Sequence, residues 1–432
     1  MRITTARVTV FALIITTFSA ISHDMVPGKS PTPPILLKDA TLHTATNGTM
    51  ENHDLLIVDG KIQAIAGEIP VDEQTDVIDL SGMHVYPGLI GMSTTLGLVE
   101  IGAVRATRDQ AETGRYTPEV EAHVAFNADS EVIPTVRANG ITHVEVAPVG
   151  VGLTGQASVM HLDGWNWQDS LVKQNSAMHL YWPNTGINKS FWERRTVEEQ
   201  RKDNAEQLED LMRTFELIKA YHQRREHSPD SPIDVRWEAM RPVFKGDVPL
   251  FVHADDYRQM EQAVTFAAHH EINIVLVGGA DVMMAIDLLR SSQTPLVFTA
   301  PWGTPQRSDQ AYDVAYAIPA LLEQNDIPFA LAIAGSWNVR DLPFAAGQIV
   351  AHGASKAQAL RSVTIAPARI LGIDDSTGSI EVGKQANLVV SEGDLFDHLT
   401  HKVTMMMIDG RRVDLNSRHT QLYEKYKQKT SE

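Results

Sequence analysis

Five short apolar runs in the middle of the chain constrain its fold more than any other feature. They are THVEVAP (142–148), PLFVHA (249–254), INIVLVGG (272–279), TPLVFTA (294–300) and IPFALAIAG (327–335). Each is strand-length, and Gly or Pro punctuates the series. PLFVHA leads into a stretch with Tyr257, Met260, Val264 and Ala267 at helical spacing, and INIVLVGG into one with Val282, Ile286 and Leu289. Buried strands alternating with helices predict a parallel sheet. The span 86–377 suits a closed (β/α)8 TIM-like barrel, a fold of about 250 residues. An open doubly wound sheet would need a Gly-rich phosphate loop after its first strand, and none is present.

The two ends read differently. ILLKDATLHTA, DLLIVDGKIQAIAG and TDVIDLSGMHVYPGLI are strand-like, and Asp59-Gly60 is a two-residue hairpin signal. The same pattern returns in GSIEVGKQANLVVSEGD and KVTMMMIDGRRVDL, with Asp409-Gly410 at the turn. Residues 35–85 and 378–415 are therefore expected to join into one small β-sandwich domain. A helical excursion spans 196–227. Thr196 and Glu199 form a capping box there, and Leu208, Leu211, Phe215, Ile218 and Tyr221 make one apolar stripe. That pattern predicts a helix packed over the barrel in preference to a partner-binding surface. Residues 416–432 form a charged C-terminal tail.

Residues 1–22 have the layout of a signal peptide. Arg2 and Arg7 precede an uncharged apolar run from Val8 to Ile21, and Ala20 and Ser22 sit before a cut at His23. The run is shorter than the ~20 residues that span a bilayer. Export, with a periplasmic destination, is the expectation. Residues 23–34 (HDMVPGKSPTPP) read as a flexible leader. The net charge of -17 argues against nucleic-acid or anionic-membrane partners. There is no cysteine, so a metal site would have to use His, Asp, Glu or a modified Lys.

DLLIVDGKIQAIAG followed by DLSGMHVYPGLI resembles the N-terminal signature of the amidohydrolase superfamily. LRSVTIAPARILGIDDSTGSIEVGKQANLVV resembles its C-terminal signature. VRANGITHVEVAPVGVGLTGQASVMHLDG looks similar to the imidazolonepropionase-like branch. Asn387 stands where an Asp is usual. The resemblance implies a metal-dependent hydrolase of non-peptide C–N bonds, in cyclic amides or dipeptide-like substrates. Its strand-1 motif, Pro-Gly-Leu-Ile-Asp-x-His-x-His, supplies two metal ligands. A carboxylated Lys or a Glu, two middle-strand His and an Asp after the last strand supply the others, and a metal-bound water is the nucleophile. Here the motif reads Pro87-Gly88-Leu89-Ile90-Gly91-Met92-Ser93-Thr94-Thr95. Ser93 and Thr95 occupy the His positions, Gly279 closes a middle strand without His, and Gly335 follows the last strand without Asp. Neutral hydroxyls hold zinc poorly. Of the family's His and Asp ligands only His253 is retained, so zinc is not expected as a cofactor. Lys245 lies too close before PLFVHA to serve as the fourth-strand Lys.

His253 with Asp255 is the candidate catalytic pair, the carboxylate orienting an imidazole base. The alternative role for Asp255 or Asp256 is to cap the following helix. Arg340, Asn338 and Glu100 are the candidate substrate-binding residues, with Arg105 and Asp109 in the same loop as Glu100. Arg340 has a competing role in a loop-locking pair with Asp341. His269-His270 ends a helix, where a structural role is expected. The Trp-rich piece DGWNWQDS reads as a hairpin edge. Two functions follow. One is an amidohydrolase-family hydrolase, weakly active or inactive. The other is a non-catalytic ligand-binding barrel, or a subunit supporting an active relative in a homo- or hetero-oligomer. Small residues at the ligand positions predict a mouth that stays open as a polar pocket.

Overall fold

Both Asp-Gly turns form as their sequences require. A computed structural model describes residues 26–30 and 33–431; the signal-peptide reading of residues 1–22 lies outside the described residues. Asp59 and Gly60 both take positive φ, 49° and 78°, and join β2 (Thr49–Val58) to β3 (Lys61–Ala66). Asp409 and Gly410 do the same, at 50° and 73°, between β15 (Val403–Ile408) and β16 (Arg411–Arg412). Consecutive positive φ values are the geometry whose twist suits a two-residue hairpin. The two turns, far apart in the chain, pack on each other. A Cβ on Gly410 would come within 2.6 Å of the Gly60 Cα, so the contact needs glycine there.

These hairpins belong to one eight-stranded sheet built from both chain ends. Its order is β16-β15-β14-β5-β1-β2-β3, where β1 is Ile35–His43, β5 is His84–Pro87 and β14 is Leu388–Ser391. β4 (Asp76–Asp79) pairs in parallel with β1. The junction between the ends is β5 against β14, antiparallel, with Val85 opposite Val390. A separate apolar core lies under it, including Leu37, Leu55, Ile57, Val85, Leu388 and Met407. Asn387 keeps the closing turn in place: its side-chain oxygen accepts from the Asp409 N–H at 2.8 Å and its amide donates to Thr377 at 3.2 Å. Deleting residues 378–432 removes β14 to β16 and bares β5 and its apolar face. The expected product is insoluble; a monodisperse truncated protein with a cooperative melt would contradict this.

The second eight-stranded sheet is the barrel. β6 (Leu89–Thr94), β7 (Ile141–Val146), β8 (Gly152–His161), β9 (Leu171–Tyr181), β10 (Leu250–Ala254), β11 (Ile274–Gly278), β12 (Leu296–Phe298) and β13 (Phe329–Leu331) follow in sequence order. A parallel bridge from Thr94 to Gly335 brings the last strand round to the first. The barrel is not uniformly parallel. β8 runs antiparallel to both β7 and β9, so strands two to four form a meander and only the others follow the parallel rule. The 31-residue helix Val197–His227 enters between β9 and β10, with its Thr196–Glu199 capping box formed. Its buried stripe includes Leu211, Phe215 and Ile218, and Phe215 meets Phe266 of the barrel helix Tyr257–His270 edge-on at 4.7 Å. The helix thus packs over the barrel.

Asp163, buried beyond the end of β8, ties three parts of the chain together. Arg137 donates to it at 3.0 Å, and the Gly28 N–H at 3.0 Å. Arg411 of β16 lies 3.6 Å from the same carboxylate and donates to the Asp163 carbonyl. Pro27, next to Gly28, is buried. The last segment of the chain, read as a charged tail, holds a helix over Arg418–Ser431.

Candidate functional site

At the C-terminal mouth of the barrel the backbone of β6 departs from regular strand geometry. The register slips between Gly91 and Thr94, and Ser93 sits at φ 53°. A non-glycine residue in the left-handed region inside a strand is strained, and such bulges re-aim local groups. Here the bulge turns the Ser93 N–H onto Glu145 Oε2 at 2.9 Å. Gly91, where the family motif has Asp, packs against the segment after the last strand: a Cβ there would lie 2.5 Å from Val339.

Glu145, on β7, is fully buried. Its other oxygen, Oε1, lies 3.1 Å from Nε2 of His179 on β9, itself fully buried. His179 Nδ1 lies 2.9 Å from Nε2 of His253 on β10. Tyr181 stacks flat on the His253 ring at 3.8 Å, and Phe251 lies beside His179 at 5.2 Å. The strand period explains the convergence. His179 is opposite Phe251 and Tyr181 opposite His253, so one set of alternating positions faces the interior. Ser93, Tyr181 and His253 stay partly exposed, which places the open end of this chain of groups at the mouth.

The hydrogen-bond inventory orders the protons. Taken as a carboxylate, Glu145 accepts from Ser93 N–H and from His179 Nε2–H. His179 Nδ1 is then an acceptor and takes the proton of His253 Nε2–H. His253 Nδ1 is left as a lone-pair acceptor with no partner among the described residues. Burial, and then the neighbouring His179, hold His253 well below the ordinary histidine pKa, so the ring is neutral at physiological pH. Burial, and then Glu145, push the Tyr181 hydroxyl up, so it stays protonated.

The residues singled out from the sequence fall in different places. His253 is at the mouth; Asp255 does not join it. The Asp255 carboxylate packs instead against the backbone that follows β11, where a Cβ on Gly278 would lie 2.6 Å from it, and burial raises its pKa. Asp256 is the N-cap of helix Tyr257–His270 and forms a capping box with Gln259. Arg340 packs over the Trp337 ring, 5.9 Å away, with Asp341 at 3.6 Å. Its neighbour Asn338 is exposed in the same short 3-10 helix, whose Val339 meets Gly91. Glu100 accepts from Asn127 at 3.3 Å in the loop after β6. Lys245 lies before β10, 3.7 Å from Glu226, at the end of the strand away from the mouth. Trp337 is partly exposed and stacks on His419, so it does not plug the barrel. Glu145 and His179 were not anticipated. Their only sequence signal is a titratable residue near the end of a run that is otherwise buried.

The positions that match the family's metal ligands carry Ser93, Thr95, Gly279 and Gly335. Gly279 and Gly335 take φ of 92° and 98°, backbone that disfavours any side-chain ligand. Thr95 is buried and its N–H donates to the Gly335 carbonyl at 3.4 Å, closing the barrel. Glu145, His179 and His253 are strung in line, and His179 has one ring nitrogen toward each neighbour. A metal needs donors converging on one point. Among the described residues the one His/Asp/Glu trio whose donor atoms converge is Glu216, His269 and His270, on helices outside the barrel.

A family profile described as the amidohydrolase family matches residues 316–413. A search of curated proteins finds no match. Among solved structures, an amidohydrolase from Thermotoga maritima MSB8 is 26% identical with a TM-score of 0.76, covering 88% of this chain and 99% of that one. A prolidase complexed with N-methylphosphonate-L-proline is 14% identical, with a TM-score of 0.53 and coverage of 88% and 99%. A Xaa-Pro dipeptidase with bound methionine is 16% identical, at 0.52, with the same coverage. The last two share the fold. The profile covers the C-terminal part of the barrel and of the closing sheet, and in that part and in its fold the chain is similar to amidohydrolases.

Proposed function

We propose that this chain is a ligand-binding member of the superfamily, akin to its imidazolonepropionase-like branch, that has given up metal-dependent hydrolysis. The observation that carries this is the linear Glu145–His179–His253 chain. It takes the donors that remain at the mouth and commits them to one another. Among what it leaves for a ligand is an acceptor, His253 Nδ1, on a ring stacked against Tyr181. Such an acceptor recognises an N–H or O–H donor, as in a small cyclic amide or a dipeptide-like amide. The surrounding strand positions Val277, Val297 and Ala330 are apolar, which suits a neutral ring. The opening residues support export to the periplasm, where the chain would act alone or beside an active relative. Among the described residues no helix is long and apolar enough to cross a membrane.

The test is turnover of cyclic amides and Xaa-Pro dipeptides by chelator-treated protein, before and after adding zinc. Zinc is expected to give no stimulation, and His253→Ala no change in zinc stoichiometry. Zinc-stimulated hydrolysis that disappears in His253→Ala would overturn the proposal.

A further inference from the structure

The structure assigns a transition-metal site to the outside of the barrel, formed by Glu216, His269 and His270, where we infer that a zinc-like divalent cation joins the long helix Val197–His227 to the barrel helix Tyr257–His270. The geometry is the first argument. His269 Nε2 lies 3.3 Å and His270 Nε2 3.9 Å from the same oxygen, Glu216 Oε1, and all three donor atoms fall within 4.8 Å of one another. Ligands ~2.1 Å from a tetrahedral ion stand roughly 3.4 Å apart, so the three atoms already mark out one face of such a shell. The 3.9 Å separation is too long for a hydrogen bond and fits an ion between the groups better than direct contact.

The second argument is His270 itself. It is buried, with its ring against Phe266 at 4.5 Å and Phe215 at 5.8 Å. Its Nδ1 has no hydrogen-bond partner, and its Nε2 points to Glu216 beyond hydrogen-bond reach. Buried polar groups without partners ask for an explanation, and a hydrophobic residue would fill this slot with less desolvation. A metal at Nε2 gives the ring a polar partner on its Glu216 side, while Nδ1 stays without one. The packed ring cannot swing away, so one ligand is already fixed in place. Lys219 is the nearby cation the site has to tolerate.

The donor set indicates the ion. Two imidazoles and a carboxylate suit zinc, nickel or copper, whereas calcium and magnesium call for all-oxygen shells. With three protein ligands, water completes the shell. His269 and Glu216 are exposed and can be replaced without opening the core.

The experiment is calorimetric titration of chelator-treated, untagged full-length protein with zinc chloride, and with calcium and magnesium chlorides as controls. One equivalent of zinc is expected, with no heat from calcium or magnesium. His269→Ala and Glu216→Ala should each weaken zinc binding at least tenfold, while His253→Ala leaves it unchanged. Cobalt(II) should give a visible absorption band that His269→Ala removes. Absence of zinc binding by the parent protein, or binding undiminished in both His269→Ala and Glu216→Ala, would overturn the site. Loss of binding in His253→Ala alone would place the metal in the barrel and would count against both this site and the metal-free mouth.

Discussion

Asp163→Ala should lower the stability of the protein by about 3–5 kcal/mol, the cost of removing one member of a buried ion pair. The carboxylate is buried with Arg137, and the change removes the partner that this guanidinium meets at 3.0 Å. It also releases the Gly28 N–H and the approach of Arg411, so the effect should reach beyond one pair. Equilibrium unfolding in urea measures it. Asp163→Asn keeps an acceptor for Gly28 and loses the charge, so it should fall between the parent and the alanine variant. A midpoint for Asp163→Ala within error of the parent would show that the three segments hold together without this carboxylate.

Acid should unfold the chain earlier than its carboxylates alone would dictate. His143 is buried inside β7, bonded to Thr142 at 2.9 Å, and burial, followed by His161, lowers its pKa to about 3. His43 is lowered to about 4 by burial and by His84, and His253 moves in the same direction. The sign follows from proton uptake. Below about pH 6.5 the unfolded chain protonates these rings while the folded chain does not, so the unfolded state binds more protons and stability falls with pH. The contribution is complete above pH 6.5 and is lost as pH drops toward the folded values. For His143 alone the loss between pH 7 and pH 4 is about 3 kcal/mol. Unfolding midpoints from pH 7.5 to 4.5 should show the decline starting near pH 6.5, and His143→Leu should flatten it. A stability profile level down to pH 5 would rule this out.

The features that could be read along the chain are those fixed by neighbours in sequence. The Asp59-Gly60 and Asp409-Gly410 turns, the Thr196–Glu199 box and the Asp256 cap each depend on three or four consecutive residues, and each formed where expected. The parallel barrel strands were legible because apolar runs alternate with helical spacing. β8 was not legible as an antiparallel strand. All ten of its residues are buried, so it lacks the alternation that marks a strand with one wet face. The mouth was legible in part. His253 could be read as a strand-end residue, and it lies near the C-terminal end of β10. Glu145 and His179 escaped because their roles depend on the register between β7, β9 and β10, which no single segment encodes. The Ser93 bulge, which aims a backbone N–H at Glu145, likewise arises from strand pairing and carries no residue signature.

The pairing of β5 with β14 joins residues about 300 positions apart, and that distance sets a clock on the birth of the protein. Synthesis at roughly 5–20 residues per second leaves the first strands waiting on the order of 15–60 s for their partner. Throughout that interval an unmated strand edge and its greasy underside are on offer to other nascent chains and to proteases. The vulnerable species is thus the half-made polypeptide. Translational pauses anywhere in the barrel lengthen the wait, so synonymous changes that leave the finished molecule untouched can still alter how much of it survives.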